Sequence, residues 1–123
     1  MINSKFNKQT GIIEKELIGD ISLAEIINDM IRVKENKLYP RLLKIKANST
    51  NANFKFSVND LEIISNERNK TLEQYDLIVE AIIVNNPETT VKSMLYQESK
   101  TTDKYRFRIF STDKGASDWL NNY

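Results

Sequence analysis

Along this chain the hydrophobic positions alternate between two spacings, and the alternation sets the order of elements. The densest apolar run is Leu77–Val84 within Asp76–Asn86, broken only by Glu80 and rich in β-branched residues. A strand apolar on both faces must be covered on both faces, which predicts a position inside a parallel or mixed sheet with helices on each side. Asn86-Pro87-Glu88 follows directly. Asn is a good N-cap and Pro suits the first helical turn, so the strand passes at once into a helix. That helix has Val91, Met94 and Leu95 at helical spacing as its expected buried stripe and fades by Lys100.

The same strand–cap–helix unit recurs. Ile2–Lys8 and Ile12–Ile18 predict a hairpin around Gln9-Thr10-Gly11, with Gly19-Asp20 closing the second strand and Glu14, Lys15 and Glu16 marking a partly wet side. Ser22 and Glu25 have capping-box spacing, Ile21 and Ile26 that of a hydrophobic staple, and Leu23, Ile26, Ile27, Met30 and Ile31 form the stripe of a helix ending near Asn36, a residue suited to a left-handed cap. Pro40 biases Tyr39 toward extended angles, and Leu42–Ala47 alternates as a third strand. Asn48–Phe56 is polar enough to predict a loop. Ser57 with Asp60 opens the next helix, with Val58, Leu61, Ile64 and Leu72 inward and a solvated outer face over Asn66–Gln74. Tyr105–Phe110 alternates Tyr105, Phe107 and Ile109 against Arg106 and Arg108, which predicts an edge strand. Ser111 or Thr112 then caps a last helix carrying Ala116, Trp119 and Leu120. The order β-β-α-β-α-β-α-β-α implies a mainly parallel mixed sheet with helices on both faces, an α/β fold in a single domain over 1–123.

Composition narrows the chemistry. The chain has 123 residues, 40% hydrophobic and 28% charged, with formal net charge +1, which gives no bulk attraction to nucleic acid or acidic membrane. Without cysteine or histidine, disulfides, thiolate zinc sites, cysteine nucleophiles and the commonest general base are all excluded. Three separated glycines make no phosphate loop. No apolar run is long enough for a membrane span, and the polar start predicts no signal peptide, so the expected compartment is the cytoplasm.

The element order, the polar stretch Asn48–Phe56 before a Ser-capped helix, and the ending Phe110-Ser111-Thr112 with Ala116 and Trp119-Leu120 resemble bacterial STAS/SpoIIAA-like proteins across essentially the whole chain. The resemblance implies a STAS-like fold and a non-enzymatic interaction module that binds a protein partner in regulation. Some such proteins bind nucleotides or apolar ligands instead. Anti-sigma factor antagonists carry an Asp-Ser-Ser-Gly-type sequence at the start of the second main helix. Here Asn53-Phe54-Lys55-Phe56-Ser57-Val58-Asn59-Asp60 stands there, without serine pair or glycine, and Ser57 is the nearest counterpart of the phosphorylated serine.

In open α/β sheets, ligands gather at the strand C-terminal edge, here Asp20, Asn48, Ser49, Thr50, Asn85, Asn86 and Ser111. These residues also suit turns and caps. Phe54 and Phe56 read as lining for an apolar pocket or partner contact, or as a staple onto Leu61. Ser57 is a candidate phosphorylation site or simply a cap. Lys104, Arg106 and Arg108 read as guards of an edge strand rather than a nucleic-acid surface. Glu80 is either an exception within the core or faces a wetter stretch under a helix end. The expectation is therefore no catalytic residue, metal or cofactor, a protein partner, and as the alternative a small anionic or amphipathic ligand at the strand C-terminal edge.

Overall fold

A computed structural model describes residues 1–123. The strands are β1 (Ile2–Asn7), β2 (Ile12–Ile21), β3 (Leu42–Phe54), β4 (Leu77–Ile83) and β5 (Tyr105–Phe110). The helices are α1 (Leu23–Glu35), α2 (Leu61–Leu72), α3 (Pro87–Glu98) and α4 (Asp113–Leu120), and a short 3-10 turn at Val58–Asp60 precedes α2. The strands lie in the order β1-β2-β3-β4-β5, with β1 antiparallel to β2 and every later pair parallel. The apolar run Leu77–Ile83 is thus flanked by β3 and β5, and the alternating Tyr105–Phe110 is an edge.

Each crossover from β2 to β5 steps in the same direction. With a common right hand, this places α1, α2 and α3 on one face. The larger core fills the space beneath them with Ile13, Leu17, Leu43, Ile45, Ile78 and Ile82 from alternate strand positions. α4 follows the last strand and covers the other face, where Ala116 and Leu120 pack on Val79, Ala81 and Ile83. Burial on both faces explains why β4 reads as an apolar run broken only by Glu80.

Local signals determine many of the joints. Gly11 takes φ +72° in the hairpin turn. Ser22 and Glu25 form the capping box of α1, Asn86 accepts from the Thr89 N–H at 2.9 Å, and Thr112 accepts from the Gly115 N–H at 3.0 Å.

Several expectations are corrected. Gly19-Asp20 does not close β2. Gly19, at φ +73°, lies within the strand, which continues to Ile21. Asn48, Ser49, Thr50 and Phe54 belong to β3 and not to a loop, because β2 pairs with β3 as far as Ile21↔Phe54. A bulge opposite Glu16–Ile18 gives β3 an extra residue there. At this bulge Ser49 is fully buried and its hydroxyl donates to the Ile83 carbonyl at 2.6 Å. Asn36 caps α1 with φ −81°, not in the left-handed region. Val58 is exposed, and Lys15 is buried beneath α1 instead of lying on a wet side. In α3 the inward residues are Thr89, Ser93 and Tyr96, while Val91, Met94 and Leu95 face outward.

Candidate functional site

Between the three-helix layer and the sheet lies a cavity of about 110 Å³, with 15 hydrophobic residues among the 22 that line it. β3 and β4 form its floor through Ile45, Ala47, Ile78 and Ile82. Ile26, Met30 and Val33 of α1 and Leu61 and Ile64 of α2 form its roof. Phe54 and Phe56 stand at the end where β3 runs into α2, stacked on each other with ring centroids 5.2 Å apart. Lys92 of α3 reaches over the same end. Its ammonium donates to the Phe54 carbonyl at 3.0 Å and lies 5.4 Å from the Phe56 ring centre.

Two charged pairs interrupt the apolar lining. Lys15 of β2 and Asp29 of α1, each 8% exposed, meet at 2.5 Å. The second pair is Arg68 of α2 with Glu80 of β4, at 3.3 Å between Nη1 and Oε1. Arg68 is only 8% exposed, and its guanidinium carbon lies 4.3 Å from the Tyr105 ring centre and 5.1 Å from that of Tyr96. Both distances are those of cation–π contact. Tyr105 donates its hydroxyl proton to Glu80 Oε1 at 2.5 Å, and Tyr96 donates to the Tyr105 oxygen at 3.2 Å. Burial pushes the Tyr105 phenol well above its usual value near 10, so it remains a proton donor and is no base in the neutral range. Glu80 is therefore the acceptor at which a buried network converges. The network is incomplete on one side: Arg68 Nη1 is buried and makes no hydrogen bond, its approach to Oε1 notwithstanding.

Of the residues singled out in the sequence, the fold brings Phe54 and Phe56 to this cavity. The others lie apart. Asp20 is exposed and 3.9 Å from Lys55. Asn48 ties Thr50 through its side-chain oxygen at 3.0 and 2.7 Å and lines a polar groove on the opposite face with Lys46 and Asp113. Ser57 is exposed, and its N–H donates to Asp60 Oδ2 at 2.9 Å. Asn86 caps α3, while Asn85 and Ser111 are exposed. The cavity residues missed by sequence reasoning are the charged ones: Lys15, Asp29, Arg68 and Lys92. The one available signal was Glu80, a carboxylate inside an apolar strand.

No family model matches this sequence, and no curated protein matches it by sequence. Among solved structures the chain is similar to an uncharacterized protein from the DUF3478 family with a SpoIIAA-like fold from Shewanella loihica PV-4. The TM-score is 0.64 at 11% sequence identity, over 98% of this chain and 92% of that one. The architecture is therefore SpoIIAA-like, as the resemblance implied. No helix is long and apolar enough to cross a membrane.

Proposed function

We propose that this protein is a non-enzymatic, cytoplasmic binding module of SpoIIAA-like fold that holds a small, mainly apolar molecule between its helical layer and its sheet. The observation that carries this reading is the cavity itself: about 110 Å³ of space under α1 and α2, lined mostly by hydrocarbon and flanked at one end by two stacked aromatic rings. Native interiors rarely leave such space unfilled, and an apolar pocket with a few convergent polar groups is the usual form of a ligand site. The size is on the scale of the ~150 Å³ cavity that admits benzene. Toluene is therefore expected to bind and to raise the thermal midpoint progressively with the logarithm of its concentration, by linkage to the folded state. A midpoint unmoved by near-saturating toluene, together with no perturbation of methyl resonances from Ile45, Ile78 or Leu61, would refute the reading.

Docking of a protein partner has a separate observation in its favour. Val91 (52% exposed), Met94 (51%) and Leu95 (37%) form an apolar stripe on the outer side of α3. A partner docked there should be retained by the wild-type protein and lost on Leu95→Glu, which places a charge in the contact. Equal retention by both proteins would remove α3 from that role.

A further inference from the structure

We infer that the Lys92 ammonium is the head-group anchor of the cavity, and that the ligand is a small amphipathic monocarboxylate, its carboxylate at the solvent edge and its apolar body between the helices and the sheet; this rests on the ligand reading above. The first argument is charge. The lining contains three cations, Lys15, Arg68 and Lys92, against two carboxylates, Asp29 and Glu80. Lys15 meets Asp29 at 2.5 Å and Arg68 stands 3.3 Å from Glu80. Lys92 is the cation left without a carboxylate in the lining. Its ion-pair partner is Glu88, one turn earlier on α3, with a side chain 78% exposed, where water weakens the pair. The surplus is a single positive charge, which one carboxylate balances and a dianion would overshoot.

The second argument is the free donor. An ammonium carries three N–H groups. Lys92 spends one on the Phe54 carbonyl at 3.0 Å and one on Glu88 Oε1 at 3.2 Å, which leaves the third for a ligand oxygen. The third argument is position. The Lys92 side chain is mostly covered and lines the cavity, yet its nitrogen reaches the exposed Glu88, so the charge stands where the cavity meets solvent. A carboxylate held there keeps part of its hydration and avoids the penalty of burying a charge in hydrocarbon. Phe54 ends β3, so the anchor stands at the C-terminal edge of the parallel strands, the usual ligand edge of an open α/β sheet. The space behind it suits an apolar body of about one six-membered ring.

The test titrates the full chain at neutral pH and low salt with phenylacetate, with phenethyl alcohol as its neutral counterpart, and with toluene. Phenylacetate is expected to bind about five-fold more tightly than phenethyl alcohol, the scale of a partly exposed charged contact. The ratio of the two affinities, measured within each protein, should fall to about one in Lys92→Met and persist in Lys92→Arg, which keeps the charge. It should also persist in Lys114→Met, which removes a charge whose side chain is 85% exposed in its pair with Asp118 on α4. Glu88→Gln removes the competing carboxylate without touching the lining, and should tighten phenylacetate about two-fold with phenethyl alcohol unchanged, which tests the anchor even where Lys92→Met does not fold. Toluene binding without a phenylacetate preference in the wild-type protein would overturn the anchor and spare the cavity. A preference that survives Lys92→Met, or a phenylacetate affinity indifferent to Glu88→Gln, would also overturn the anchor. Tighter binding of benzylphosphonate than of phenylacetate would overturn the monocarboxylate assignment. Failure of every probe, toluene included, would overturn both the anchor and the ligand reading.

Discussion

Arg68→Ala is expected to lower the unfolding free energy by about 3–5 kcal/mol, measured by denaturant titration with the slope unchanged. The cause is less the lost ion pair than what it leaves behind. Glu80 sits beneath α2 with its side chain 13% exposed, and without Arg68 its charge has only the Tyr105 hydroxyl for company. Removing one partner of a buried pair strands the other in a poorly polarisable interior, whereas removing both abolishes the desolvation cost. Arg68→Met/Glu80→Leu should therefore recover most of the loss, and the Tyr105 hydroxyl retains the Tyr96 oxygen 3.2 Å away as a partner. Equal destabilisation by the single and double changes would show that the cost lies in packing against the two tyrosine rings and not in the orphaned carboxylate. Arg68, which lines the cavity, is then also a residue that holds α2 to the sheet.

Tyr96→Ala is expected to cost about 3–5 kcal/mol, and its neighbour Leu95→Ala about 0.5 kcal/mol. Tyr96 is 9% exposed and meets Phe107 edge-on at 5.0 Å between ring centres, Tyr105 at 6.2 Å and the Arg68 guanidinium at 5.1 Å. Truncation removes all of these at once and enlarges a space already present. Leu95, by contrast, is 37% exposed on the outer side of α3. Comparable losses from the two changes would mean that α3 buries the stripe its hydrophobic spacing suggests. The contrast separates two ways of choosing the inner face of one helix, and it bears on function, because the apolar residues left outside are the ones available to a partner.

That helix shows how far the sequence reaches. Val91, Met94 and Leu95 have helical spacing and would be inward by hydrophobicity alone. The structure turns Thr89, Ser93 and Tyr96 to the sheet instead. Thr89 and Ser93 are small, Ser93 returns its hydroxyl to the Thr89 carbonyl at 2.8 Å, and close approach lets Tyr96 reach the rings of β5. A helix with apolar side chains on more than one side has no unique inner face until the sheet beneath it is specified. β3 shows the same limit. Apart from Thr50, Asn48 to Asn53 are weak strand formers, so the segment predicts a loop, yet pairing with the extended β2 holds it in the sheet. The candidate residues Asn48, Ser49 and Thr50 were displaced from the site by that pairing.

The chain by itself determined the element order, the hairpin turn at Gly11, the caps at Ser22 and Asn86, and the place of Leu77–Ile83 inside the sheet, while the structure chose Thr112 over Ser111 as the cap of α4. Each rests on side-chain chemistry within a few residues or on a hydrophobic period repeated along one element. Only the tertiary structure decided that Lys15 meets Asp29 and that Arg68 meets Glu80, since those partners come from separate elements and a charge in a sequence does not reveal what it will be buried beside. Only it decided that Phe54 and Phe56 line a cavity between the helices and the sheet. That cavity exists because three crossovers of one hand put α1, α2 and α3 on the same face of the sheet, and their side chains leave unfilled space between themselves and β3 and β4.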